Sequence, residues 1–298
     1  MDQRSIFLIE HRIINKKLVN SPGMRHADGH HYCKEISMME HTIGGVHFLT
    51  GKWPLDAGRN TVVFVHGSGN SRLLWKGQVK GLTEQVNAVA IDLPGHGKSV
   101  GPGMDTVDGY AAAVEKFIDE ADIANPVPCG LSLGGAVVLR MLLDSPSRYR
   151  AGILINTGAR LRVLPAIFDM VRSNYDGYTA SLASVAASPK SDTALLKDII
   201  NDAKTCSSEV VLGDFTACDS FDVMDRLHEI KVPVLVLTAE EDRLSPVKYG
   251  RYLAEHIENS FYVEIPAAGH MSPLEKTEEV NRELRKFLDD AGLKIIDQ

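Results

Sequence analysis

Short apolar runs rich in β-branched residues alternate along this chain with longer segments of helical period. From residue 36 onward the runs fall at 36–43, 46–49, 61–65, 88–91, 127–131, 153–155, 234–237 and 261–265. Gly44-Gly45 separates the first two and marks a hairpin. Segments 107–121, 135–143, 247–256 and 275–291 place apolar residues on one helical face. Strands alternating with helices predict an α/β fold, a mostly parallel twisted sheet of eight strands flanked by helices. The hairpin adds antiparallel strands at one edge.

One stretch breaks the alternation. Residues 158–233 hold no convincing strand and read as helices over 164–173, 178–187, 192–204 and 220–229. An excursion that long between neighbouring strands predicts an inserted helical cap. The expected division is an N-terminal extension at 1–35, a core at 36–158 and 232–298, and a cap at 159–231. Within the extension, residues 24–33 are rich in His, Asp and Cys. A metal site and a solvated polar loop are the two readings. The spacing fits no standard zinc pattern, which favours the loop and no metal.

Composition narrows the partners. The chain of 298 residues carries 32 Lys+Arg against 39 Asp+Glu, a net charge of −7, with no basic run. Nucleic acid and anionic membranes are therefore not expected partners, and a small-molecule substrate is. Monomer and homodimer both remain open. The apolar core at residues 6–9 is too short for a secretory signal, and no segment approaches the ~20 apolar residues of a membrane span. Cys33, Cys129, Cys206 and Cys218 lack metal or disulfide spacing, so free thiols in a reducing cytoplasm are expected.

The chemistry concentrates in Gly130-Leu131-Ser132-Leu133-Gly134-Gly135, between an apolar run and a helical one. A Ser between glycines at a strand-to-helix junction sits on a tight turn, hydroxyl outward, with the helix N-terminus behind it. Its base is expected in Gly269-His270-Met271, just past the last strand, because functional groups of open α/β sheets gather at the carboxyl ends of strands. The loop after residues 234–237 reads Glu240-Glu241-Asp242. Asp242, with the shortest side chain and nearest the next helix, is the expected orienting acid, and Glu240 and Glu241 read as solvated charges. Val65-His66-Gly67-Ser68-Gly69 offers oxyanion donors. The Ser68 N–H is assigned first, with Gly69 as fallback, and the Leu133 N–H is the second donor. His66 reads as a brace for this loop. Asp92, in Asp92-Leu93-Pro94-Gly95-His96-Gly97-Lys98-Ser99, reads as a bond to loop backbone.

Taken together and in this order, these five motifs resemble the α/β-hydrolases, and within them the capped, single-domain group of serine esterases, enol-lactonases and C–C hydrolases. The resemblance covers residues 36 to 290. It implies a Ser132–His270–Asp242 triad, acyl transfer through an acyl-enzyme, and no metal or organic cofactor. An Asp at the elbow would instead imply a dehalogenase or epoxide hydrolase. The chain departs from the pattern at residues 1–35, in a cap without a recognisable motif, and in Pro126 and Pro128, which stand where a central strand should donate hydrogen bonds.

Hydrolysis of a carboxylic ester or lactone is the first functional reading. A thioesterase or C–C bond hydrolase on the same triad is the second. A ligand-binding receptor on a hydrolase scaffold is the third, weakened by the intact triad. Leu164, Phe168, Tyr175 and Met271 are expected to line an apolar pocket over Ser132. Arg160 and Arg162 would serve a substrate carboxylate or a thioester's phosphates, or be solvated surface charges.

Overall fold

The computed structural model describes residues 37–192, 194 and 197–293. The extension expected at 1–35, its ligand-rich run and Cys33 lie outside the described residues.

A hairpin of β1 (Met39–Ile43) and β2 (Val46–Thr50) turns at Gly44-Gly45, both with positive φ. β3 (Thr61–Val65), β4 (Asn87–Ile91), β5 (Pro126–Leu131), β6 (Gly152–Ile155), β7 (Val234–Ala239) and β8 (Ser260–Ile265) complete one eight-stranded sheet in the order β1-β2-β4-β3-β5-β6-β7-β8. β2 meets β4 antiparallel, with Phe48 opposite Ile91, and the strands from β4 to β8 run parallel.

Every residue of β3 to β7 is buried, because helices cover both faces of the sheet. The strand period of two sorts the side chains. Val63, Val65 and Ile91 pack on one side with α2 (Val107–Glu120), α3 (Leu133–Asp144) and α8 (Val247–His256). Val62, Phe64 and Ala90 pack on the other with α1 (Lys76–Leu82) and α10 (Thr277–Asp290). Each fully buried Val, Leu or Phe contributes about 1.5–3 kcal/mol. The two prolines of β5 lie outside the ladder with β6, which pairs only with Cys129–Leu131.

Between β6 and β7 the chain forms α4 (Pro165–Ser173), α5 (Tyr175–Ala186), α6 (Lys197–Ala203), α7 (Ser208–Ser220) and a 3-10 helix at Met224–Glu229. Asn174 starts α5 by accepting the Gly177 N–H at 3.0 Å, earlier than the sequence pattern suggests. Of the helix expected at 220–229, only a 3-10 helix over Met224–Glu229 forms. Asp222 pairs with Arg160 in an isolated bridge, so the chain is extended at that point and only a 3-10 helix follows. α7, which the pattern does not reveal, is capped by the Ser207 side chain on the Val210 N–H. Val171, Tyr178, Cys206 and Val211 form a small core within this excursion. No helix among the described residues is long and apolar enough to cross a membrane.

Candidate active site

Ser132 ends β5 and caps α3 with φ +57° and ψ −117°, a conformation that costs a non-glycine residue about 1–3 kcal/mol. Its surroundings hold it there. The Ser132 N–H donates to the Ile155 carbonyl at 3.1 Å, and its own carbonyl accepts from Thr157 Oγ1 at 2.8 Å. The flanking glycines are steric necessities. A Cβ on Gly130 would lie 2.0 Å from the Gly134 oxygen, and one on Gly134 would lie 2.2 Å from the Val65 oxygen. The turn can exist only where strand and helix touch backbone to backbone.

His270 lies in the loop between β8 and α9 (Ser272–Glu275), 5% exposed. Its Nδ1 is 2.8 Å from Asp242 Oδ2. Asp242 Oδ1 accepts the N–H groups of Leu244 at 2.8 Å and Ser245 at 2.9 Å. Burial alone would raise the Asp242 carboxyl. The His270 charge and hydrogen bond, with the two backbone donors, outweigh burial and hold it below the usual carboxylate range. An acceptor-only carboxylate on Nδ1 assigns the proton to that nitrogen and leaves Nε2 with a free lone pair.

Of the neighbouring acids, Glu240 is exposed, as expected, and Glu241 is half-buried. Glu240 Oε2 accepts the Ala267 N–H at 2.9 Å, and Glu241 bonds Ser188 and Lys190 of the helical excursion. Neither meets His270.

The loop after β6 touches both the Ser132 turn and the His270 loop. Thr157 holds the Ser132 carbonyl, and Asn156 Nδ2 donates to the His270 carbonyl at 2.8 Å. Among the described residues, Ser132 Oγ and His270 Nε2 make no hydrogen bond. The sequence passes over Asn156 and Thr157 because neither is a carboxylate. Their place at the carboxyl end of β6 is the signal that would have found them.

The loop after β3 lies against the elbow. A Cβ on Gly67 would sit 3.2 Å from Ser132 Cβ. The N–H groups of Ser68 and Leu133 have no acceptor among the described residues. Leu133 opens α3, where helical N–H groups lack partners. The Gly69 fallback is excluded, because its N–H donates to the Asp214 carboxylate at 2.8 Å. His66 braces the loop, with Nδ1 2.8 Å from the Gly67 carbonyl and Nε2 accepting the Leu93 N–H at 3.0 Å. Burial first, and the nearby His96 charge second, push its pKa down to about 3, so the ring is neutral. Asp92 bonds the backbone N–H groups of Arg72 at 2.7 Å and Lys98 at 2.9 Å, as loop support.

The expected pocket residues separate. Leu164 is 71% exposed at the start of α4. The Tyr175 hydroxyl donates to the carbonyls of Ala203 and Cys206, so this side chain holds the excursion together. Met271 is buried in the cluster that also holds Ala186, Ala187 and Ala268. Phe168 meets Phe215 edge-on at 6.2 Å. Arg160 pairs with Asp222 at 3.6 Å and Arg162 bonds the Asp219 carbonyl. Both line a cleft of about 260 Å³ whose walls contain neither Ser132 nor His270.

Comparison with known proteins bears on the family and the fold. The model of the alpha/beta hydrolase family matches residues 62–283. The chain is 26% identical to 3-oxoadipate enol-lactonase 2 of Acinetobacter baylyi, over 76% of this chain and 87% of that protein. It is 28% identical to the pimeloyl-[acyl-carrier protein] methyl ester esterase of Neisseria meningitidis, over 76% and 93%. The solved structure of a thermophilic esterase superposes with a TM-score of 0.74 at 33% identity, over 86% of this chain and 98% of that one.

Proposed function

We propose that this chain, which belongs to the alpha/beta hydrolase family, is a serine hydrolase that cleaves carboxylic esters or lactones of small apolar or aromatic substrates. Two of its relatives are named for action on an enol-lactone and on a methyl ester, and another, 29% identical, as a putative carbamate hydrolase of Caulobacter segnis. The observation that carries the finer reading is the buried Asp242–His270 pair at 2.8 Å, tied through Asn156 and Thr157 to the strained Ser132 turn.

In this mechanism Ser132 Oγ attacks the substrate carbonyl carbon while His270 Nε2 takes its proton. Asp242 fixes the tautomer and stabilises the imidazolium that forms. The carbonyl oxygen becomes an oxyanion facing the Ser68 and Leu133 N–H groups, with the N-terminus of α3 adding positive potential. Collapse expels the alcohol, which leaves with the proton from His270. Water then gives a proton to His270 and attacks the acyl-enzyme, and the acid departs as Ser132 regains its hydrogen. A lactone follows the same steps, with its alcohol retained on the product.

The helical excursion would serve as the cap that bounds the acyl space. Arg160 and Arg162, the residues expected to serve a substrate carboxylate or a thioester's phosphates, bond Asp222 and the Asp219 carbonyl and line a cleft without Ser132, which supports the ester reading. The test is hydrolysis of p-nitrophenyl esters from acetate to decanoate by wild type and Ser132→Ala. Turnover lost in the variant is the expected result. Turnover that survives it would remove Ser132 from the chemistry.

A further inference from the structure

Asp214 is fully buried on α7, within the helical excursion, yet all its partners belong to the core. Its Oδ2 accepts the Gly69 N–H at 2.8 Å and lies 2.9 Å from His96 Nε2. Its Oδ1 accepts the Tyr110 hydroxyl at 2.5 Å. His96 Nδ1 is 3.1 Å from the Pro94 carbonyl. With an acceptor at each ring nitrogen, His96 holds two protons and pairs as a cation with the Asp214 carboxylate. Burial opposes that charge, and Asp214 outweighs burial.

The Gly69 N–H has a particular place. The Asn70 N–H closes a turn onto the Gly67 carbonyl at 3.2 Å, with Gly69 third at φ +63°. Positive φ at that position is the type II signature, and the peptide plane between the second and third residues is the one that flips between types I and II. That plane joins Ser68 to Gly69. Asp214 grips its N–H, and Ser68 carries the adjoining N–H assigned to the oxyanion.

We propose that Asp214 is a positioning residue for ester hydrolysis, pinning the Gly67–Asn70 turn through the Gly69 N–H so that Ser68, the second residue of that turn, keeps its own N–H directed to the oxyanion. The proposal rests on the serine-hydrolase reading. It makes the oxyanion loop complete only when α7 is docked on it. α7 closes over the loop at two further points. Val211 lies 3.2 Å from where a Gly69 Cβ would be, and Cys218 Sγ lies 3.7 Å from Ser68 Oγ.

The experiment must separate positioning from support of the fold. Asp214→Leu alone strands a buried cation, so it is compared with the double variant Asp214→Leu/His96→Phe, which removes both charges together. The double variant should recover most of the Tm lost in the single one. Its kcat should still fall about tenfold to a hundredfold, below the ~10²–10³ of a deleted oxyanion donor. KM should stay within about threefold, because the loss falls on the transition state. A boronic acid that mimics the tetrahedral adduct should lose affinity by the same factor as kcat. Asp214→Asn, which keeps an acceptor for Gly69, should recover kcat to within about fivefold of wild type. A double variant with Tm restored and kcat within threefold of wild type would overturn the proposal. So would a loss confined to KM. Activity that survives Ser132→Ala would instead overturn the serine reading, and this role with it.

Discussion

Asn156 donates from Nδ2 to the His270 carbonyl at 2.8 Å. The same Nδ2 reaches Ser272 Oγ at 2.9 Å, so one amide holds the His270 loop from two sides. Asn156 is itself at φ +46°, in the left-handed region that Asn tolerates better than most residues. Asn156→Ala removes the bonds and leaves a strained backbone. The expected cost is about 2 kcal/mol of stability by urea melts and roughly tenfold in kcat. Unchanged kcat with the full stability loss would make Asn156 a fold residue only.

Asp242→Asn should keep the fold and lower kcat by about 10⁴, because the amide no longer enforces the productive tautomer of His270. Glu240→Gln and Glu241→Gln, whose partners are Ala267, Ser188 and Lys190, should stay within about threefold. The reverse pattern would reassign the acid.

The buried His96–Asp214 pair predicts a stability slope on the alkaline side. Facing His96 are Asp214 on α7, Tyr110 on α2, the neutral His66 ring at 4.9 Å and Cys206 of the excursion. The folded pKa of His96 is raised well above the ordinary 6.5, so the folded state binds the proton more tightly than the unfolded chain. The resulting stability is fully present below about 6.5 and is lost as pH rises through the folded value. Urea melts at pH 6 and above pH 8 should show wild type weakening with pH. Asp214→Leu/His96→Phe should lack this component, and an identical slope in both proteins would remove the pair as its source.

On the acid side Asp242 acts in the opposite sense. Its pKa is lowered on folding, so its contribution is present above the ordinary 3.8 and is lost as pH falls through the folded value. Asp242→Asn should therefore flatten part of the acid limb of the stability curve, measured by the same melts.

Gly130→Ala should be the most damaging small change in the elbow. Its Cβ would stand 2.0 Å from the Gly134 oxygen, a backbone atom that cannot rotate away. A loss of about 4 kcal/mol or more is expected, read as loss of soluble folded protein or a collapse of Tm.

The sheet and the elbow were legible because their signals are local. The strands are short β-branched runs, and Ser132 is announced by glycines that adjoin it in sequence. α7 was not legible. Its inward positions include Val211, Asp214 and Cys218, and a carboxylate at the centre of a buried face breaks the apolar period. Only the folded chain shows why it is there, since Gly69, His96 and Tyr110 come from three distant segments. The bonds of Tyr175 are hidden from the sequence for a related reason. A tyrosine in a helical segment reads as lining until its hydroxyl is seen on Ala203 and Cys206.

The His270 N–H donates to the Ala186 carbonyl at 2.7 Å, and a Cβ on Gly269 would collide with the Ser188 nitrogen at 2.4 Å. Glu275 clasps the N–H groups of Gly269 and Ser188 with one oxygen. Here the end of α5 and the His270 loop are one interlocked piece of backbone. This excursion is therefore not a detachable module. A chimera that takes its specificity helices from another hydrolase must bring the matching stretch around 267–275 as well, or inherit a histidine loop built to fit a surface that is gone.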